Sequence, residues 1–476
     1  MTILTNVPVL GAWVLPASVA ATAAVLALLW WRRGRRLRPR TVAALVAAAL
    51  AAPLLAAFAV DVAWRPFAEP VGWATWVWLA PITLAGLLAL ARPRSGRAGG
   101  DVPVGGRVGA GGDVPVGGRV RAGRMVPGIV ADGVAVGVVA LAATLSVNAA
   151  FGAYPTLGDL LGLTSTGISL DTVAAPAAGA ASAAGPAAPV SPTMGARLAA
   201  DQPDLVGRAI GVVGTAHIPA TASGFRAREA IVYLPPAAIS ADSPQLPVLV
   251  LLAGQPGGPT DWIRKGGLRA TMDGFAAAHD GRAPIVVVPD PLGSPVRNPL
   301  CSDTSHGDAA GYLEQDVASW LDANFGRAPR PAYRAIGGIS NGGTCALQVG
   351  TRRPEAWPVV VDLAGELHPD LGGLDRTVAL GFSGDRAAFE ANDPLTLLHA
   401  ATTAADGRYA HSHAFFGVGS EDAEFGPAAA TLAEAAQAAG MDTTVQHAAG
   451  GHQWQTWAAL LPGALTWYET ILETTP

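Results

Sequence analysis

Residues 332–354 read AYRAIGGISNGGTCALQVGTRRP. A short strand candidate (332–337) leads into Gly338-Ile339-Ser340-Asn341-Gly342, and a segment with helical spacing follows up to Pro354. G-x-S-x-G between a strand and a helix is the pattern of a nucleophile elbow. That turn is so sharp that side chains at its two flanking positions would strike neighbouring backbone, and glycine at 338 and 342 removes the obstacle. Ser340 would then stand at the tip with its hydroxyl exposed. The helix behind it would aim N–H groups at a developing oxyanion. With 58 glycines in 476 residues, the competing reading is a glycine-rich loop with an incidental serine. The strand before, the helix after and Gly343 favour the elbow.

On both sides of this stretch, strand and helix patterns alternate. The runs 230–234 (AIVYL), 247–252 (PVLVLL) and 284–288 (PIVVV) are short and continuously apolar, as strands buried on both faces of a parallel sheet are. Residues 311–325 (GYLEQDVASWLDANF) have apolar positions at helical spacing, and 359–363, 414–417 and 443–447 continue the strand series. This alternation predicts an α/β domain.

A serine hydroxyl needs a base, and in this fold the chain order is serine, acid, histidine. All nine histidines lie at or after His217. His452 is the best placed, in Gly450-Gly451-His452-Gln453-Trp454, after the last strand candidate and behind two glycines that let a loop turn tightly. His447 falls within that strand and reads as structural. The acid should follow a strand between Ser340 and His452. The run 415–419 (FFGVG) leads into Ser420-Glu421-Asp422-Ala423-Glu424. A carboxylate there could hold the imidazole in the right tautomer. Asp422 is favoured, with Glu421 and Glu424 as competitors. An oxyanion hole takes one N–H from the residue after the nucleophile, here Asn341, and one from the loop after an earlier strand. Residues 253–258 (AGQPGG) make Gln255 the candidate for the second, against a plain Gly/Pro turn. No pair of histidines has metal-ligand spacing such as H-E-x-x-H, and no cofactor is expected.

The front of the chain is different in kind. Half of all residues are hydrophobic and 14% are charged, against roughly 25% in an ordinary soluble domain. Four stretches, 10–31, 42–63, 71–91 and 126–151, are long enough to cross a bilayer, which takes about 20 apolar residues. Six arginines (Arg32, Arg33, Arg35, Arg36, Arg38, Arg40) follow the first, and seven (Arg92, Arg94, Arg97, Arg107, Arg119, Arg121, Arg124) follow the third. Only Arg65, set against Asp61 and Glu69, lies between the second and third. Positive loops stay in the cytoplasm, so both ends of this four-span region are expected outside, and the protein is expected in the plasma membrane. The loop 92–124 holds GGDVPVGGRV twice, at 99–108 and 111–120, and reads as a flexible, basic connector. Asp132 and Asn148 lie near the ends of the fourth span with no other buried charge evident to partner them, so the spans read as an anchor. The expected organisation is a transmembrane region (1–152), an Ala/Pro-rich linker (153–204) and an external domain (205–476). A net charge of −5 implies no basic surface for nucleic acid.

Taken together, AGQPGG…DW (253–262), VVVPD (286–290), YLEQDVASWL (312–321), GGISNGG (337–343), DLAGE (362–366) and GGHQWQTW (450–457) resemble the putative-esterase family of α/β-hydrolases, which includes esterase D and the antigen 85 mycolyltransferases. The resemblance covers roughly residues 205–468. It implies an α/β-hydrolase fold and a triad of Ser340, His452 and an acid near Asp422. The antigen 85 branch uses glutamate as its acid, which keeps Glu421 and Glu424 open. Its members are secreted, so a mycolyl substrate does not carry over to a chain with four apparent spans. Cys301 and Cys345 both fall in the external domain, where an oxidising compartment allows a disulfide; two buried thiols are the alternative. The expectation is a membrane-anchored serine esterase or acyltransferase acting outside the cytoplasm on an ester or acyl donor, with lipid or sugar esters of the envelope as candidate substrates. The rival readings are a serine peptidase of the same fold and a catalytically silent binding or sensing domain.

Overall fold

The computed structural model describes residues 5–65, 70–91, 126–165, 167–175 and 192–474. The chain divides into two compact units. One spans residues 11–63 and 71–150; the other runs from residue 151 onward with the described residues of 1–10 and 64–70.

The first unit is helical. Helices α1 (Val14–Arg32), α2 (Pro39–Ala57), α3 (Leu79–Leu90) and α4 (Val126–Phe151) carry its apolar sequence. Pro39 opens α2 at the position where its missing N–H is no loss. With their flanking turns, four helices among the described residues are long and apolar enough to span a membrane: Val14–Arg36, Pro39–Trp64, Trp73–Leu90 and Val130–Phe151. Leu29, Ala85, Leu88, Ala135 and Val139 pack inward, whereas Leu50, Leu54, Leu55 and Leu141 are exposed. One expectation is corrected here. Asp132 has charged partners: it is buried, hydrogen-bonds Arg33 and lies 3.5 Å from Arg32. Ninety-nine residues separate Arg33 from Asp132, so no local pattern announces the pair. Arg33 also donates to the Ala91 carbonyl at 3.1 Å. Asp61 accepts from Val71 N–H and Trp76 Nε1, each at 2.9 Å. The expected Gly/Arg-rich loop lies outside the described residues.

Among the described residues, the second unit is built on one nine-stranded sheet, with a small antiparallel pair of Asp303–Thr304 and Gly307–Asp308 set apart from it. The sheet's strands are β1 (Ile168–Ser169), β2 (Val212–Ala216), β3 (Ala230–Leu234), β4 (Val248–Leu252), β5 (Ile285–Val288), β6 (Arg334–Ile339), β7 (Val359–Leu363), β8 (His413–Gly419) and β9 (Asp442–Ala448). They lie in the order β1-β2-β3-β5-β4-β6-β7-β8-β9. From β5 to β9 every pairing is parallel; β3 runs antiparallel to both β2 and β5. The central strands are buried at every position of β3, β4, β5 and β7, because helices cover both faces. Around the sheet stand α5 (Met194–Asp201), α6 (Leu268–Ala278), α7 (Ala318–Phe325), α8 (Asn341–Arg352), α9 (Pro394–Ala404), α10 (Phe425–Ala438) and α11 (Trp454–Thr474). On one face α8 packs with Val360 and Phe416; on the other α11 packs with Val361 and Leu363.

Residues 153–204 are more than a linker. They supply β1 and a helix, Met194–Asp201, and Leu170, Val173, Met194 and Leu198 are buried in the sheet's core. The folded unit therefore begins before residue 205. The two-residue β1 is too short to carry a strand signal of its own, and its pairing with Gly214 and Thr215 supplies what local pattern does not. The tether's middle, 176–191, lies outside the described residues. The helix expected over 311–325 is present but contains a π-helical turn, Tyr312–Val317.

Leu251 of β4 is fully buried in this core. Leu251→Ala should lower unfolding free energy by about 2–5 kcal/mol; urea denaturation of the detergent-solubilised protein measures it, and a change below that range would mean the site is loosely packed.

Candidate active site

In parallel sheets the chain turns at the carboxyl ends of the strands, and ligand crevices form there. Here the loops leaving β4, β6, β7, β8 and β9 bring together Gln255, Ser340, Leu363–Gly365, Asp422 and His452.

Ser340 sits between β6 and α8 with φ 51 and ψ −129, a conformation that non-glycine residues avoid. The flanking glycines make it attainable. A methyl group at Gly338 would lie 2.3 Å from the Gly342 carbonyl oxygen, and one at Gly342 would lie 2.5 Å from that of Leu252 and 2.7 Å from that of Ala253. No side chain fits at either place. The Ser340 N–H donates to the Leu363 carbonyl at 2.9 Å, and its own carbonyl accepts from Gly343 N–H at 2.7 Å and Thr344 N–H at 3.1 Å. This threads the serine into both β7 and the first turn of α8.

His452 Nε2 lies 3.0 Å from Ser340 Oγ. Its Nδ1 lies 3.1 Å from Asp422 Oδ2. Asp422 is buried, whereas Glu421 and Glu424 are exposed. Burial alone would raise the Asp422 pKa; the hydrogen bond with His452, the Phe425 N–H at 3.0 Å and the attraction of His452 outweigh it and hold the carboxyl below its ordinary value. The loops after β8 and β9 are stitched directly: Ser420 N–H donates to the Ala448 carbonyl at 2.7 Å and Glu421 N–H to the Gly450 carbonyl at 2.9 Å. A methyl at Gly419 would fall 2.2 Å from the Gly450 oxygen, so the backbones meet only because glycine is there.

Two aromatic rings fix the imidazole. Phe425 stacks on it at 3.9 Å between centroids and 21° between planes, and Trp457 meets it edge-on at 4.8 Å. Sequence reading did not single out Phe425; its one signal was its place just past the acid.

Asn341 begins α8 and is buried. The loop carrying Gln255 passes against the elbow: a methyl at Gly254 would stand 3.2 Å from Ser340 Cβ. Gln255 Nε2 donates to the Val296 carbonyl at 2.8 Å. Arg228 braces the loop, donating to the Gly257 carbonyl at 2.9 Å and bonding Asp290 through Nε (2.8 Å) and Nη2 (2.7 Å). Asp290 is fully buried. This pair also escaped sequence reading, since its members lie 62 residues apart. The sulfurs of Cys301 and Cys345 are bonded, with Cα atoms 5.4 Å apart, tying α8 to the loop after β5. His447 lies within β9. Among the described residues, no group of three or more His, Cys, Asp and Glu side chains could hold a metal ion. The arrangement suits activation of a serine hydroxyl for attack on an electrophilic carbon beside N–H donors.

The family model described as "Putative esterase" matches residues 223–468. An uncharacterized protein of Corynebacterium glutamicum is 40% identical over 245 residues, 52% of this chain and 58% of that protein. The chain thus spans less than two thirds of the length of that curated relative. Solved structures to which the chain is similar include two enzymes. One is a ferulic acid esterase (18% identity, 55% of this chain and 98% of that one, TM-score 0.46). The other is an S-formylglutathione hydrolase from Agrobacterium tumefaciens (19% identity, 56% and 97%, TM-score 0.44).

The steric argument at the elbow has a direct check. A fluorophosphonate should label Ser340 in the wild type, and Gly342→Ala should slow labelling by about 10²-fold through misplacement of the serine. Gly274→Ala, where an added methyl meets nothing within 4 Å, should leave the rate unchanged; equal rates for all three would refute the geometry.

Proposed function

This chain belongs to the Putative esterase family, and from that premise we propose that it is a membrane-anchored serine esterase or acyltransferase with its catalytic domain outside the cytoplasm. The hydrogen-bonded file Ser340–His452–Asp422 carries the reading. Ser340 Oγ attacks the carbonyl carbon of an ester while His452 Nε2 takes its proton. Asp422 holds the other ring nitrogen as donor and stabilises the imidazolium. The N–H groups of Asn341 and Gln255 receive the oxyanion. As the tetrahedral intermediate collapses, the imidazolium returns the proton to the leaving alkoxide and an acyl-serine remains. Water or an acceptor alcohol then attacks this ester, again with His452 as base, and Ser340 is released.

The four apolar helices support the anchor. The arginine asymmetry of the loops supports the sidedness: thirteen arginines in the two loops expected inside, one in the loop expected outside. A catalytic domain held at the membrane surface suits an ester of a lipid or of the cell envelope.

Detergent-solubilised full-length protein should hydrolyse p-nitrophenyl butyrate. Ser340→Ala should abolish this, and Asp422→Asn should lower kcat by about 10⁴-fold; wild type no faster than Ser340→Ala would defeat the enzyme reading. For sidedness, alkaline phosphatase fused after Pro476 should be active, and a cytoplasm-dependent reporter at the same place silent.

A further inference from the structure

The face of β7 turned toward α8 carries one charged residue. Asp362 shares that face with Val360, is 2% exposed, and stands in register with Gly338 of β6 and Phe416 of β8. Its Oδ1 accepts the Gly365 N–H at 2.7 Å. Its Oδ2 has no hydrogen-bond partner among the described residues. The surroundings are cut to admit this carboxyl: a methyl at Gly343 would lie 2.3 Å from Oδ1, and one at Gly365 2.4 Å from it.

No cation answers it. Gly338, Gly343, Gly365 and Phe416 are uncharged. The charged side chain of α8 is Arg352, in its last turn and paired with Glu314 at 2.8 Å. On Asp362's own loop, Glu366 is tied to Thr344 of α8, through its N–H at 2.8 Å and its Oε2 at 3.5 Å. At this end of β8 and β9, Asp422 and His452 are bonded to each other, and Glu421 and Glu424 are exposed to solvent. The titratable side chains of α11 lie on the opposite face of β7, where Val361 and Leu363 point. A buried carboxyl with one donor and no counter-charge favours its neutral form. In keeping with this, burial, opposed only by the Gly365 N–H, pushes the Asp362 pKa up to about 7.

The turn that Asp362 braces also holds the nucleophile. Leu363 gives its carbonyl to Ser340 N–H at 2.9 Å, Ala364 follows with φ 55 and donates to the Gly417 carbonyl at 2.8 Å, and Gly365 donates to Asp362. Gly343, against which Oδ1 rests, belongs to the first turn of α8, whose Asn341 N–H receives the oxyanion in the reaction above. A negative charge there would oppose the oxyanion.

We propose that Asp362 is a positioning residue that works as an uncharged carboxylic acid: it fixes the Leu363–Gly365 turn on which Ser340 rests, and it leaves the positive end of α8 uncancelled. This rests on Ser340 as nucleophile. Its sign is definite: activity is present while the carboxyl is protonated and falls as pH rises through its folded pKa.

The test is kcat/KM on p-nitrophenyl butyrate from pH 5.5 to 9.5, using full-length wild type, D362N and D362A. Wild type should lose activity on the alkaline side. D362N keeps the volume and the acceptor oxygen but cannot ionise, so it should stay within about threefold of wild type near pH 6.5 and lose the alkaline limb. D362A, lacking the brace, should lose kcat by about tenfold or more at every pH with KM little changed. An alkaline limb in D362N that superimposes on the wild-type limb overturns the proposal, as does a D362A variant with wild-type kcat. Should D362A fail to fold, the D362N profile decides alone. Residual wild-type activity in Ser340→Ala would instead overturn the nucleophile assignment, a separate failure.

Discussion

The contact on which the second unit's site depends is between backbones: Gly342 lies against the carbonyls of Leu252 and Ala253, and Gly338 against the carbonyl of Gly342. At those separations only a hydrogen atom fits in place of a side chain. The contact fixes where α8 starts relative to β4. It brings the loop after β4 beside Ser340, and it forces the serine into a backbone conformation that exposes its hydroxyl. Strain of this kind persists only where the surroundings over-determine it. Here three hydrogen bonds to the serine backbone, from β7 and from the first turn of α8, do so.

The remaining parts follow from a parallel sheet ending its strands on one edge. Residues 255, 340, 422 and 452 are far apart in sequence, yet each lies within a few residues of a strand's carboxyl end. What positions them there is short-range and specific. Glycines let the loops after β8 and β9 touch. Rings on two sides hold His452. The Arg228–Asp290 pair braces the loop beside the elbow, and removing the half-buried Arg228 would leave the fully buried Asp290 uncompensated. Asp362 adds a fourth kind of support, a buried acid whose turn accepts the Ser340 N–H.

The helical unit follows a different rule. With apolar residues on every side, its helices say little about which neighbours they choose; its polar contacts say more. Arg33 and Asp132 meet among the helices, as do Asp61 and Trp76. An ionisable group among apolar helices finds its partners in other polar side chains.

By itself the sequence determined the nature of both units. Continuous apolar runs marked the buried strands, arginine clusters marked the loop asymmetry, and G-x-S-x-G with a late GGH marked the serine and the histidine. These are local patterns, and they survive in one dimension because burial and sharp turns each demand particular residues at fixed spacing. The tertiary structure decided what depends on distance in space. Among the three carboxylates within residues 421–424, Asp422 is the one turned inward to His452, while Glu421 and Glu424 face solvent. Leu170, Val173 and Met194 join a core begun further along the chain. Phe425 finds the imidazole, Arg33 finds Asp132, and Asp362 loses its counter-charge by burial rather than by any motif. Such outcomes depend on which surfaces the folded chain removes from water, and no spacing along the sequence encodes that.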